Sequence, residues 1–570
     1  MFRDLYAAEI EYLHGLAEEL GREQARIAPM LGRDADPGVS RLVQGMAFLS
    51  ARLRQRLDDD LPDVVHPVIE SLHPWLLRPM PSATIMELVP DPAMQEPQVA
   101  RAASVFASRP SGGAPCLFRS TLDADVRPWS LDGVDVVSER TEIRLRFSLL
   151  SGAAFGAPSG SLRLFFAMPA GAALELRSAL LRATETVIAR TPSGKGEIAL
   201  ASAAELVGGS AGSEDAFEEA TKDPFFALRA YFTWPEQFAF VAIPNLDRLA
   251  ALGEKVRAFE IVFRLRSALP KSLHLDATSV RLHCVPAVNV RRMTSLSAPL
   301  VGERCAIQPP DAQVYAIERV SVVRENLSTI VAQPYARFFP PPIGDNGHLP
   351  LLYRVSRRGS VVGPELDLGL VFVHAESGRL PADAASVDVE LFVTDGDRAA
   401  RVSVGEVCVP TAASPPLVSF RNITPVTRSA PAVVDDDRLW RWFQLLKTNF
   451  VQLTDRDSLA AALALANVAA WARWPASKAN ADSFEAIVSV RTQRLTRAGQ
   501  DQVFPGTHID VDLNEDHFAS RGDIDLLGEC LVSLLASTLR THEWVELALR
   551  DAQGAALFDY ASRFGTRVVL

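Results

Sequence analysis

The sequence predicts an α+β multidomain fold: N-terminal amphipathic helices, two β-rich middle domains of sandwich or barrel-like type, and a mixed α/β C-terminal domain. Three observations carry this. Over the first sixty residues apolar side chains recur three and four apart, the period of a helix with one buried face. Prolines at 74, 79, 81, 90, 92 and 97 then rule out a long helix, and stretches alternating apolar with polar residues take over. Helical periodicity returns near Asp435.

The first helix is expected from about Phe2 to Ile27. Phe2, Leu5, Tyr6, Ile10, Leu13, Leu16 and Leu20 form its apolar stripe, and Glu9, Glu18, Glu19, Arg22 and Glu23 lie mainly on its other faces. Pro29 and Gly32 end it. Asp36-Pro37 supplies a cap and a first-turn proline for a second helix. That helix carries Val39, Leu42, Val43, Met46, Leu49, Leu53 and Leu57 on one side. Asp58, Asp59 and Asp60 oppose the dipole at its end and stop it. A third helical piece, Val64 to Leu77, is kinked or restarted at Pro67.

Residues 83–300 read as one β-rich domain, with alternating runs at 142–149, 162–166, 259–265 and 280–284. The small-residue, acidic tract from Ala199 to Ala220 reads as an extended loop with room for one helix. A second β-rich domain, 301–430, rests on runs at 314–323, 352–355, 366–373 and 387–393, broken by the polyproline-like kink Phe338–Pro342. In the final section, 431–570, Leu439, Trp440, Trp442, Phe443, Leu446 and Phe450 form a broad apolar helix face. An Ala-rich helix follows at 459–474. Strands are expected at 485–490, 509–513, 544–549 and 567–570, and a helix at 526–539. The N-terminal section, 1–82, is then a helical assembly module.

Composition narrows the function. At 48% hydrophobic and 22% charged residues, 570 residues bury several cores. A net charge of −11 argues against nucleic acid as the main partner, because phosphate neutralisation needs a basic face. Arginine far outnumbers lysine, which suits bidentate interface contacts as well as a GC-rich genome. Cysteines at 116, 284, 305, 408 and 530 form no CxxC pair, which favours a reducing compartment over a disulfide framework or zinc site. The opening residues lack an apolar signal core. The run 459–474 is shorter than the ~20 apolar residues a bilayer span needs, so a buried core helix is expected.

No motif points to catalysis. Gly208 to Gly212 satisfies G-x-S-x-G, but a small-residue loop precedes it where a nucleophile elbow needs a strand. Pro192 to Gly196 has a Gly-Lys pair, yet Gly196 follows Lys195 where a phosphate loop has Ser or Thr; a β-turn is expected. His66, Glu70 and His73 share a helix face, but their spacing is not HExxH and no fourth ligand is indicated. The acid runs 58–60 and 435–437 read as solvated turns, with arginines of a partner as the other reading. Trp440, Trp442, Trp471 and Trp474 read first as core packing and second as a subunit contact. No catalytic, cofactor or metal residue is assigned.

An ordered set of segments resembles one family. Tyr6-x-x-Glu9-x-x-Tyr12-Leu13, Ala35-Asp36-Pro37-x-Val39-x-Arg41-Leu42, Phe48 to Arg52 and Leu57 to Pro62 lead to the strongest stretch, His73-Pro74 with Leu77 to Ser82. Tyr231 to Phe240, Cys284 to Asn289, Leu439-Trp440 with Asn449 and Leu453, and Phe504-x-Gly506 continue the order. Together they resemble the TssF (VasA/ImpG) family of the bacterial type VI secretion baseplate. Pro67, Pro505 and the run Thr541 to Glu546 depart from the family pattern. The resemblance implies a non-enzymatic wedge subunit in the bacterial cytoplasm, its baseplate docked at the inner-membrane complex. It implies as partners TssG, a second copy of TssF, TssK, and beyond them TssE and the spike hub, around which wedges template the contractile sheath. It implies no nucleic acid and no direct membrane insertion. The apolar stripe of the first helix (Phe2, Leu5, Tyr6, Ile10, Leu13, Leu16, Leu20) is then the expected partner contact. Two other readings stand beside it: a β-sandwich polysaccharide-acting enzyme, which the missing signal core disfavours, and a baseplate protein of a phage tail or other contractile injection system.

Overall fold

The computed structural model describes residues 74–566 apart from 111–112, 151–152, 154–159, 195, 210–223, 254–255, 336–350, 360–365, 375–379, 431, 433–435, 448–452, 472–484 and 499–502. Before Pro74 it describes Tyr6, Ile10, Gly38, Arg41, 44–50, His66, Ile69 and Glu70. The result is a mixed α/β multidomain fold with barrel and sheet regions.

The strand Ala83–Pro90 starts the body because its residues are buried on both faces, a pattern that needs neighbours on each edge. It pairs antiparallel with Cys284–Val288 and with Val418–Asn422, placing Ala83 opposite Val288 and Met86 opposite Asn422. Leu117–Ser120, Val105–Ser108 and Val407–Pro410 complete a six-stranded sheet. Hydrogen bonding therefore joins residues on both sides of the division expected at residue 300. A five-stranded sheet (129–137, 142–149, 258–265, 184–190, 198–202) and a four-stranded sheet (280–282, 162–166, 240–243, 207–208) share one core. Phe147 stacks on Phe259 with ring centres 4.9 Å apart, and Trp129 meets Phe259 edge-on at 5.1 Å.

Two helices lie within this β-rich region, α1 (Ala170–Ala183) and α2 (Pro224–Thr233), at positions where the sequence reading placed none. Helix α1 is buried on more than one face: Leu176 and Leu180 join the sheet core, while Leu174 joins the core around the C-terminal helices. A helix covered this way shows no single apolar stripe. The tract expected as a loop from Ala199 begins as the strand Ile198–Ser202, closed by a Ser202–Glu205 capping box; 210–223 lie outside the described residues.

Seven strands between Arg291 and Thr394 close into a barrel. The alternation in Ala384–Thr394 sends Val387, Val389, Leu391 and Val393 inward at 0% exposure. Ser386 faces Pro299 on one neighbour and Val323 on the other, so one strand sets the register of two. Closure leaves no free edge in this unit. The Phe338–Pro342 kink lies outside the described residues.

The chain enters the barrel and leaves it at one point, held by Asn289. Its N–H donates to Ser82 O (2.7 Å). Its amide donates to Leu117 O and to Asp395 Oδ2, both at 2.8 Å. Its carbonyl oxygen accepts from Thr394 Oγ1 (3.0 Å) and from the Asp395 N–H (2.7 Å). Every polar group of a side chain 1% exposed is thereby paired.

The C-terminal part contains α3 (Asp436–Lys447), α4 (Arg456–Ala466) and α5 (Arg521–Thr538) beside a four-stranded sheet. Its strands 487–498, 503–513 and 544–551 extend the expected ones, and 556–564 was not foreseen. The strand expected at 567–570 lies outside the described residues. Strands 503–513 and 544–551 are parallel, which requires a crossover, and α5 supplies it. The Ala-rich run is a buried core helix interrupted at Asn467, after which Val468–Trp471 form one more helical turn. Among the described residues no helix is long and apolar enough to cross a membrane.

Replacing Asn289 by Ala should lower unfolding free energy by about 2 kcal/mol or more, because Asp395 and the backbone around it lose their partners; urea titration measures it. His283 is buried and accepts from the Arg127 N–H at 3.1 Å. Burial first, and the nearby Arg127 guanidinium second, push its pKa down to about 4. The unfolded chain binds that proton near the ordinary value of about 6.5, so stability should fall as pH drops from 6.5 towards 4, by roughly 3 kcal/mol. His283→Asn should flatten this part of the pH–stability curve; an unchanged slope would assign it to other groups.

Candidate assembly surface

The N-terminal helical piece presents its apolar side outward. Residues 44–50 are helical, and of their side chains only Ala47 is buried. Met46 is 67% and Leu49 62% exposed, and Phe48 meets Tyr6 edge-on, ring centres 6.4 Å apart. Of the expected contact stripe, Tyr6 and Ile10 are helical and half-buried; Phe2, Leu5, Leu13, Leu16 and Leu20 lie outside the described residues.

This piece is carried by an anchor. The run from Pro74 coils into one 3₁₀ turn that buries Trp75, Leu76 and Leu77. Trp75 meets Trp442 of α3 and Phe226 of α2 edge-on, at 6.3 and 6.4 Å. The Arg229 guanidinium lies 5.4 Å over the Trp75 ring and donates to its carbonyl at 3.3 Å. Met80 then pairs with Ala430 in both directions, at 2.8 and 3.0 Å. The prolines of this run suit it because the chain must turn repeatedly without continuing a helix. Trp442 is core packing, as its spacing implied, whereas Trp440 on the same helix is 41% exposed. The side chains of Trp471 and Trp474 lie outside the described residues.

Helix α5 is clamped between the C-terminal sheet and helices α1 and α2. Arg177 of α1 forms a two-pronged pair with Glu529, at 2.6 and 3.2 Å. Asp525, fully buried, accepts from Ser178 Oγ (2.6 Å), from Arg182 Nη2 (2.5 Å) and from Tyr560 Oη (2.9 Å). Tyr231 of α2 donates to Asp523 at 2.7 Å. Burial holds the Asp523 carboxyl above its usual range, partly offset by that tyrosine, and burial beside Asp523 pushes the Tyr231 phenol up. Helix α5 approaches so closely that a Cβ at Gly522 would overlap the Leu174 and Glu175 backbone, and one at Gly528 the Tyr560 ring.

A cleft of about 610 Å³ lies between the anchor and the barrel. Arg78, Arg354 and Arg357 line it with Glu70 and Asp367. Arg357 pairs with Glu70, and the Arg78 guanidinium lies 5.6 Å over the Tyr315 ring. Tyr335 and Tyr353 complete an aromatic wall. Burial first, and Glu70 second, push the Tyr353 phenol up to about 12. Sequence reading missed this cleft, because six separate stretches of chain build it.

The remaining motifs fall out plainly. His66 is buried at the cleft wall and Glu70 is committed to Arg357; His73 lies outside the described residues. Gly194 N–H closes a turn on Thr191 O at 2.9 Å, while Lys195 lies outside them. Gly208 ends a two-residue strand, and Ser210 to Gly212 lie outside the described residues. Among the described residues no group of three His, Cys, Asp or Glu could hold a metal, and all five cysteines are free thiols.

Comparison with known proteins supplies the context. The family model for the type VI secretion system protein TssF matches residues 1–567. The type VI secretion system component TssF1 of Pseudomonas aeruginosa is 25% identical over 630 residues, covering 99% of this chain and 98% of its own. A chain of the TssK–TssF–TssG baseplate subcomplex, seen by cryo-electron microscopy, superposes with a TM-score of 0.72 at 22% identity, over 93% of this chain and 99% of that one. A chain of the type VI baseplate complex superposes with a TM-score of 0.62 at 21% identity, over the full length of both.

Removing the Asp525 carboxylate tests the clamp. Asp525→Ala leaves Arg182 without its charge partner and Ser178 without its acceptor. It should cost about 3 kcal/mol or more, read as a lower thermal midpoint with α5 and the strand 556–564 exchanging amide hydrogens sooner.

Proposed function

The chain belongs to the TssF family of type VI secretion systems, and on that premise we propose that it is a structural subunit of the baseplate wedge, assembling with TssG and TssK. The observation that carries this reading is the outward apolar face of the N-terminal helical piece, with Met46 and Leu49 mostly exposed, on an anchor fixed by Trp75. An amphipathic helix gains stability only when its stripe is covered. In a baseplate wedge a bundle with TssG covers it. The contact stripe is Phe2, Leu5, Tyr6, Ile10, Leu13, Leu16 and Leu20, continued by Met46 and Leu49.

In this reading residues 1–82 are the assembly module, 83–300 and 301–430 the β-rich regions, and 431–570 the mixed domain that holds the anchor. Strands 407–410 and 418–422 tie the second β-rich region back to the first. The subunit makes and breaks no bonds. It sits in the bacterial cytoplasm, in a baseplate docked at the inner-membrane complex. A second copy of the chain, TssE and the spike hub complete its surroundings. Membership of the TssF family supports this reading over the polysaccharide-acting enzyme that the β-rich regions left open.

The test is a double charge substitution, Met46→Asp with Leu49→Asp, co-expressed with TssG. Both side chains are exposed, so the thermal midpoint of the chain alone should stay unchanged. Recovery of TssG with the tagged chain should fall at least about tenfold. Full recovery would refute the helical face as the TssG contact.

A further inference from the structure

The wedge reading gives the barrel no task, yet the barrel is tied to the stem of the N-terminal module. Ile69 and Glu70 are neighbours on the helical piece before Pro74, so their side chains point about 100° apart. Ile69 is buried in the apolar core that holds Trp75 and residues of α3 and α5. Glu70 pairs with Arg357 on the barrel strand Leu351–Gly359. The helix therefore lies in the corner between the C-terminal core and the barrel. Further along the stem, the Arg78 guanidinium lies 5.6 Å over the ring of Tyr315, on the barrel strand Gln313–Arg324. Strand Thr329–Pro334 runs between these two strands, so the ties stand two strand spacings apart, roughly 10 Å. Two separated ties oppose a rotation that one would allow. Glu70, Arg78, Tyr315 and Arg357 all line the cleft of about 610 Å³, which is the hollow the ties span.

We infer that the barrel is a brace: it fixes the angle at which the N-terminal module offers its face to TssG, with Tyr315 and Arg357 as positioning residues for that contact. This rests on the wedge reading and gives the barrel a part in it. Tyr315 is 4% exposed and the Arg357 side chain 9%, so both act through the stem and not by touching TssG. The stem needs such support. Pro74, Pro79 and Pro81 keep it from continuing as a helix, and the packing of Trp75 holds it on the C-terminal side alone. A face already held at the right angle loses less freedom when a partner binds. A module free to swing binds more weakly, in proportion to the time it spends facing the right way.

Two measurements on the full chain test this. Spin labels at the exposed positions Leu49→Cys and Leu327→Cys, with the half-buried Cys408→Ser, read the angle between module and barrel. Recovery of co-expressed TssG with the tagged, unlabelled chain reads the contact. The labelled chain should give one narrow distance. Glu70→Arg sets like charges together at a partly exposed side chain; it should broaden that distance and lower TssG recovery about tenfold. Adding Arg357→Glu should restore both. Tyr315→Leu should act as Glu70→Arg does, while Tyr315→Phe, which keeps a ring under Arg78, should leave both readings unchanged. This second pair decides the matter if the charge swap lowers the thermal midpoint. A broad distance without the Glu70 change, recovery that Glu70→Arg leaves intact, or recovery lost at an unaltered distance overturns the inference and leaves the wedge reading standing. So does a charge swap that folds without restoring recovery. No recovery of TssG with the unaltered chain overturns both readings.

Discussion

Helix α5 enters the fold with two carboxylates, Asp523 and Asp525, buried in protein and a third, Glu529, partly exposed. A buried carboxylate is costly unless it is paired and hydrogen-bonded, and the partners of these three lie on α1, α2 and the last strand. Asp523 meets Tyr231 of α2, Asp525 meets Arg182 of α1 and Tyr560 of the last strand, and Glu529 meets Arg177 of α1. The helix is also the crossover between the two parallel strands of the C-terminal sheet. Its charges therefore fix the C-terminal part against the β body in one register. The anchor at Trp75 packs into the same core, against residues of α2 and α3, so the direction in which the N-terminal module leaves depends on this clamp.

The barrel is attached by a different device. The chain passes into it after Val288 and comes back at Asp395, and Asn289 hydrogen-bonds both crossings. Asp395 is also paired with Arg398 and lies 3.8 Å from Arg291. A closed barrel carries its own core and needs no edge partner. One fully satisfied polar stitch can then hold it in place without a large apolar interface. The cleft forms where the barrel wall meets the stem of the N-terminal module, between one unit held by charge and another held by aromatic packing.

Much of this was legible in the sequence, for local reasons. Alternation in 384–394 names the inward residues of the barrel because a strand has period two. The spacing of Met46 and Leu49 places them on one helix face. Helix α1 was missed because Leu174, Leu176, Arg177 and Leu180 are buried against different neighbours. The pairing of 407–422 with the first sheet was missed because long-range pairing leaves no local mark. Asn289 stood in a quoted motif, but its partners Thr394 and Asp395 lie over a hundred positions away. The cleft depends on a match between residues near 70, 310, 335 and 355 that no single stretch records. Gly522 and Gly528 likewise gain their meaning only once α1 and Tyr560 are seen against them.

On the proposed wedge reading, the folded body presents a helical face, with Met46 and Leu49 exposed, for another subunit to cover. Hydrogen–deuterium exchange of the chain alone and in complex with TssG tests that division most directly. Amides of α5, 521–538, should be strongly protected in both states, and those of 44–50 should exchange fast alone and slow markedly in the complex. Equal protection of 44–50 in both states, or an α5 that becomes protected only on binding, would contradict it.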